Sequence, residues 1–333
     1  MADHHSFQIF DGAIATELGR RGWDLSQANA SVHALQQCPE LICTIHREYL
    51  LAGAEVLRCS SFALHQYWIQ GQNFDRHEAH LRIDDNERNE AILQLCNRSV
   101  QLAMQTSHEY VAQLGPHTTR NVKIVASLAP PHRTYESSSL SLQPRPHLLP
   151  SLLLPNFYAP MARALLQAGC DALLIETIMT LDLALEAIDH CHPICHELHR
   201  PLWLSVVTGA TGDLLGQGSF SELLQILEQR QTVNALFINC IDIQHLRPAL
   251  VNLERVAQAL PHLDLGILPH LSAQCGEHWQ STAYSPHTFA RIMSECSQNF
   301  LNIRTWGACC GSTPEHIAAL REAMDSAHSN VLV

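Results

Sequence analysis

No uninterrupted apolar run in the sequence reaches the roughly 18 to 20 residues needed to cross a bilayer, so a membrane-spanning helix is not expected. The opening segment, MADHHSFQIF, lacks the basic and apolar regions of a signal peptide, and a cytoplasmic location is expected. Basic residues are scarce. Twenty Lys and Arg stand against 32 Asp and Glu, and the formal charge of -12 repels phosphate backbones and anionic lipid heads, so neither nucleic acid nor membrane is an expected partner. The chain has no GxxxxGK loop and no GxGxxG after a strand, which removes support for a nucleotide cofactor. With 16% charged and 46% hydrophobic residues it also lacks the composition of a disordered protein. Its 12 cysteines in 333 residues, about 4%, are too sparse for a disulfide scaffold and fall mostly inside periodic apolar segments. Reduced thiols are expected, and any cluster among them is a candidate for metal or catalysis.

What the sequence does contain is alternation. Short apolar runs rich in β-formers occur near 8–11, 55–60, 122–127, 172–176, 202–207, 235–239, 265–270 and 300–305. Amphipathic stretches at 39–52, 86–106, 156–168, 181–190, 219–230, 244–259, 286–298 and 314–326 separate or follow them. LLAGAEVLRCS and LLQAGCDALLIET repeat one junction, a helix stopped by glycine and an acidic turn leading into a strand. Eight strand and helix pairs, with strands apolar on both faces, fit an α/β fold of the (β/α)8 TIM-barrel type with parallel strands, in a single domain over 1–333; an open doubly wound sheet would give a similar string. The Ser- and Pro-rich segment 136–155 follows the third strand and is expected to be an irregular excursion on the active face, either a lid or a tolerated insertion.

Barrel chemistry lies at the carboxyl ends of strands. Cys240 ends the sixth strand, and Cys309 with Cys310 follow the eighth, so three thiolates can meet on one face. Three sulfur ligands with an open fourth position make a catalytic zinc site, and Gly307 and Gly311 would relieve the crowding of adjacent ligands; the competing reading is ordinary buried thiols. The run HCHPICHELH at 190–199 also carries ligand types but falls between the fourth helix and fifth strand, on the amino-terminal face, and is expected to bind metal adventitiously or not at all. Asp11 closes the first strand and Glu176 the fourth. As a pair they suit a substrate ammonium, unless each pairs with a nearby Arg or caps a helix.

Taken together these segments resemble the homocysteine S-methyltransferase family. IFDGAIATELGRRGWDL is similar to its DGAMATEL opening, AGAEVLRCSSFALH and AGCDALLIETIMTLDLALEA to two internal segments, and INC with GACCGSTPEHI to its VNC and GGCCGTTPEHI. The matches run in order from residue 9 to 317. The resemblance implies a barrel holding Zn2+ through Cys240, Cys309 and Cys310, with the thiol of homocysteine at the open position and Asp11 and Glu176 contacting its amino acid portion. It implies a methyltransferase forming methionine, with small-molecule substrates: homocysteine, or a close thiol such as selenocysteine, and S-methylmethionine, S-adenosylmethionine or a betaine as donor. The alternative is a repurposed zinc- or thiol-binding relative that has lost donor chemistry. Departures from the family pattern are Cys59, Phe62, Ala63, Phe237, Ala308 and the segment PHLSAQCGE after the seventh strand. Phe62 and Trp306, at or beyond strand ends, are candidates to face a cationic methyl donor; the competing reading is that both pack the rim.

Overall fold

The computed structural model describes residues 7–25, 30–64, 86–115, 118, 120–131, 154–271, 273–275, 278–280 and 284–329. In chain order its elements are β1 Gln8–Ile9, α1 Ile14–Arg20, α2 Ala30–Gln37, α3 Pro39–Leu51, β2 Val56–Arg58, α4 Asn86–Gln113, β3 Lys123–Leu128, α5 Leu154–Gln167, β4 Ala172–Ile178, α6 Leu181–Glu197, β5 Leu202–Val206, α7 Phe220–Arg230 and β6 Ala235–Asp242. A short 3-10 turn, Ile243–His245, then leads into α8 Leu246–Ala259, β7 Asp264–His270, β8 Ala273–Cys275, β9 His278–Gln280, α9 Pro286–Asn299, β10 Thr305–Trp306 and α10 Pro314–Ser329.

Eight of these strands form one parallel sheet in the order β1-β10-β7-β6-β5-β4-β3-β2. The ring is closed by a parallel bridge between Phe10 and Val56, with the Asp11 amide donating to Val56 at 3.0 Å and the Glu55 amide to Ile9 at 2.7 Å. This is the expected barrel of alternating strands and helices rather than an open sheet. The two repeated glycine stops serve as anticipated: Gly53 and Gly169 take φ of +104° and +111°, a left-handed conformation that turns each helix back toward its strand. Side-chain caps start several of the helices that return, Thr180 for α6, the Ser219 and Glu222 capping box for α7, and Ser285 for α9.

Alternation along the strands divides the apolar residues into two layers. Outward residues such as Ile9, Leu57, Ile175, Leu236 and Ile267 pack under the helices. The barrel interior is filled by Phe10, Val56, Val125, Leu174, Trp203, Phe237 and Leu268 among others. Phe237 centres this layer, its ring 5.6 Å from Phe10 and 5.4 Å from Trp203, in space left by Gly266, where a Cβ would lie 2.4 Å from the ring.

Three local expectations change. The last barrel strand is Thr305–Trp306 rather than 300–305, because Phe300 ends α9 and Leu301 turns out to solvent. Helix α6 runs on to Glu197 past the end expected near 190; Pro193 withholds one hydrogen bond, yet Cys191 and Cys195 bury one face of the extension. After β7 the chain forms an antiparallel pair, β8 with β9, which hydrophobic periodicity did not reveal. The Ser- and Pro-rich segment lies, except for its last two residues, outside the described residues. Among the described residues no helix is long and apolar enough to cross a membrane.

Truncating Phe237 to Ala empties the middle of the barrel and is expected to cost about 3 to 5 kcal/mol. Urea unfolding monitored by circular dichroism measures it, and a cost below about 1 kcal/mol would mean that the interior collapses around the gap.

Candidate functional site

The carboxyl ends of the strands surround a cavity of about 140 Å3 whose lining includes Arg58, Phe62, Ser127, Glu176, Cys240, Cys309 and Cys310. The three cysteine sulfurs all lie within 4.8 Å of one another, Cys240 Sγ 2.7 Å and Cys310 Sγ 3.9 Å from Cys309 Sγ. Two sulfurs on one tetrahedral ion would stand about 3.8 Å apart, so the three thiols could hold a soft metal ion after adjustment, and all three line the cavity. Hydrogen bonds from the neighbouring thiols, aided by the Arg58 charge, hold the Cys309 thiol well below its ordinary pKa, whereas the Cys240 thiol is pushed up.

Backbone irregularities aim these side chains. Cys240 takes φ +52° where β6 breaks register with β7, and Thr177 takes φ +68° where β4 breaks register with β5. Such bulges at strand ends re-aim side chains, and non-glycine residues hold this conformation only when their surroundings enforce it. Asn239, fully buried, links the two: its Oδ1 accepts from Ser205 Oγ at 2.7 Å and the Thr177 amide at 3.3 Å, and its Nδ2 donates to Thr177 Oγ1 at 3.0 Å and to Cys240 Sγ at 3.5 Å. His270 Nδ1 donates to the Cys240 carbonyl at 2.9 Å. On the other side the Cys309 amide donates to Pro269 at 2.8 Å, while Ser312 Oγ donates to the Cys309 carbonyl and accepts from the Ala13 amide. Gly307 is required by close approach to β1, since a Cβ there would sit 2.6 Å from Phe10 Cβ, rather than by crowding between ligands.

Both acids pair with an arginine, the alternative that the sequence left open. Asp11 is fully buried, with Oδ2 accepting from the Arg58 amide and Oδ1 from Arg58 Nε, both at 2.8 Å. Arg58 Nη1 reaches Glu176 Oε2 at 3.3 Å, and Nη2 donates to the carbonyls of Ala308, Gly12 and Asp11 at 2.9, 3.0 and 3.3 Å. Ser127 Oγ donates to the other Glu176 oxygen. Burial pushes the Asp11 carboxyl up to about 6, and that of Glu176 up as well, with the Arg58 charge pulling both back. Asp11 does not line the cavity; Glu176 does.

A family model described as homocysteine S-methyltransferase matches residues 8–324. The chain belongs to the homocysteine S-methyltransferase family. It is 25% identical over 331 residues to the homocysteine S-methyltransferase of Escherichia coli, covering 96% of each chain. To homocysteine S-methyltransferase YbgG of Bacillus subtilis it is 26% identical over 328 residues, covering 95% of this chain and 93% of that one. To the selenocysteine Se-methyltransferase of Brassica oleracea it is 24% identical, covering 97% and 90%. The metallated form of the homocysteine methyltransferase MmuM from Escherichia coli superposes with a TM-score of 0.73 at 23% identity, covering 96% of this chain and 97% of that one, a likeness of fold.

Other candidates from the sequence are placed as follows. Phe62 is half-buried and lines the cavity. Trp306 does not: it is buried in the apolar layer beneath the helices, with its indole Nε1 donating to the Ile303 carbonyl at 2.9 Å. In the 190–199 run, Cys191 and Cys195 are buried in that same layer, the His192 and His196 rings lie 5.9 Å apart, and His190 stacks on Tyr158. Among the described residues, Cys240, Cys309 and Cys310 form the group of three or more potential ligands that converges within 4.8 Å. The sequence reading missed Arg58, Asn239 and Ser127. The first two carried a signal, a charge after Val56 and Leu57 in one strand and an amide after the apolar run ALFI in another, each just before a cysteine.

Replacing Asn239 by Ala leaves the Thr177 amide and Ser205 hydroxyl without their acceptor. The expected cost is about 1 to 3 kcal/mol, together with weaker metal retention as Cys240 loses its aim. Urea unfolding and metal content after dialysis measure the two effects, and an unchanged metal content would separate Asn239 from the cysteine geometry.

Proposed function

We propose that the protein is a zinc-dependent S-methyltransferase that moves a methyl group from a sulfonium or quaternary ammonium donor to the thiol of homocysteine, forming methionine. The reading is carried by the convergence of Cys240, Cys309 and Cys310 with Glu176 on one cavity in a chain of this family. Three thiolates favour a soft ion, and zinc tolerates their tetrahedral arrangement without redox chemistry. Bound by these cysteines, zinc supplies the positive charge that keeps an acceptor thiol ionised at neutral pH.

The chain's own residues then position and exclude. Glu176, braced by Ser127 and Arg58, accepts the acceptor's ammonium through charge-assisted hydrogen bonds. Asp11 acts one step back by fixing Arg58. The acceptor thiolate sulfur attacks the methyl carbon in line: a new C–S bond forms as the bond to the donor's cationic sulfur or nitrogen breaks, and that sulfur or nitrogen keeps the electron pair and leaves uncharged. Because that chemistry needs alignment more than acid or base, holding both reactants in one cavity is the main contribution. Phe62 offers an aromatic face to the donor cation.

Two outcomes test this. Incubated with homocysteine and a panel of S-methylmethionine, S-adenosylmethionine and betaine, the protein is expected to form methionine with at least one donor. It should lose the activity on chelation and regain it with zinc; no methionine from any donor would overturn the proposal. Phe62→Leu should raise the KM for the donor by about 2- to 30-fold, the equivalent of a 0.5 to 2 kcal/mol cation contact, with homocysteine KM unchanged. Trp306→Leu should lower stability and leave donor KM in place. The reverse pattern would assign the donor contact to Trp306.

A further inference from the structure

We infer that Arg58 is a specificity-determining residue whose guanidinium takes the α-carboxylate of the acceptor while Glu176 takes its α-ammonium, so that the cavity selects thiols that are α-amino acids. The inference rests on the proposed function for the acceptor being a thiol anchored at the cysteines.

Arg58 carries five side-chain N–H bonds. Nε is committed to Asp11, and Nη2 to carbonyls of the turns after β1 and β10. Asp11 does not line the cavity, so the Nε edge is turned into the protein, while Nη2, beside the cavity-lining Gly12, is taken up by three backbone carbonyls. Nη1 has two N–H bonds and a single acceptor among the described residues, Glu176 Oε2. Both Arg58 and Glu176 line the cavity, and the Nη1 edge is the one they share. The remaining Nη1 hydrogen, with no acceptor among the described residues, is therefore the guanidinium donor left for an acceptor tethered at Cys240, Cys309 and Cys310, which line the same cavity.

Charge gives the same answer. With both acids ionised, Asp11, Arg58 and Glu176 sum to one negative charge. An amine without a carboxylate would satisfy Glu176 but leave the Arg58 hydrogen unmet, and an acid without an amine would bring a third carboxylate to one guanidinium. A zwitterion adds no net charge and continues the alternation of sign. Arg58 is also fixed in advance: its side chain is 8% exposed, tied to β1 and the turn after β10, and its guanidinium carbon lies 5.2 Å over the Phe10 ring. Planar, pre-positioned guanidinium is well suited to carboxylate recognition.

The test compares three thiols as acceptors: homocysteine, a mercaptopropylamine that lacks its carboxylate, and a mercaptobutyrate that lacks its ammonium. Wild-type kcat/KM for homocysteine should exceed that for the mercaptopropylamine by about ten- to a hundred-fold, the usual loss when a charged hydrogen-bond partner is removed. In Asp11→Asn/Arg58→Met, which removes the buried charges as a pair, that preference should collapse toward unity. Glu176→Gln should instead erase the preference over the mercaptobutyrate. If the double variant loses homocysteine and the mercaptopropylamine by the same factor, Arg58 only braces Glu176 and the inference fails while methyl transfer stands. Should that variant not fold, equal wild-type kcat/KM for homocysteine and the mercaptopropylamine overturns the inference by itself. If no thiol is methylated, the functional proposal fails separately, and calorimetric binding of the same three thiols to wild-type protein decides the inference on the same preference.

Discussion

The site depends on one buried cation. Arg58 lies between two carboxylates that are both out of water, on the face of a ring that belongs to the barrel interior. Two unpaired carboxylates at that depth would be prohibitive, because desolvation penalises each charge by several kcal/mol unless it is paired and hydrogen-bonded. The guanidinium meets this demand with donors toward Asp11, Glu176 and three backbone carbonyls, and in doing so joins the ends of β1, β2 and β4 to the turn that carries Cys309 and Cys310. Its charge also reaches the Cys309 thiol and favours the thiolate. An acceptor bound at Glu176 and a metal held by the cysteines would therefore share one electrostatic arrangement.

The thiols reach that arrangement through irregular backbone. A regular parallel strand would send alternate side chains into the interior and under the helices, and neither direction aims a sulfur across the mouth of the barrel. The breaks in register at Thr177 and Cys240 provide the third direction, and the Asn239 amide bonds the Thr177 backbone and hydroxyl and reaches the Cys240 sulfur. Beneath it the packed aromatic layer of Phe10, Trp203 and Phe237 supplies a rigid floor, so the cavity is confined to the rim where strand ends can vary without disturbing the fold.

Much of this was legible in the sequence, for identifiable reasons. Seven of the eight barrel strands stood out because a strand buried on both faces is a continuous apolar run, and the placement of Cys240, Cys309 and Cys310 followed from the rule that chemistry lies at strand ends. The eighth strand was misplaced because Phe300 and Leu301 are apolar yet end a helix and turn outward, which composition does not distinguish from a strand. Trp306 illustrates the limit of position without direction: adjacent residues of a strand face opposite ways, and a shift of one changes a ligand contact into a packing contact. Arg58 was overlooked because its value comes from partners 47 and 118 residues away, a pairing that only the closed barrel creates.

The most direct measurement of the account's central claim, that three cysteines hold zinc with a position left for the acceptor thiol, is X-ray absorption at the zinc edge of the purified, zinc-loaded protein with and without homocysteine. Three sulfur neighbours at about 2.3 Å and one lighter neighbour are expected in the free protein, with a fourth sulfur replacing the lighter atom when homocysteine is added. Fewer than three sulfur neighbours, or a coordination shell that homocysteine leaves unchanged, would contradict it.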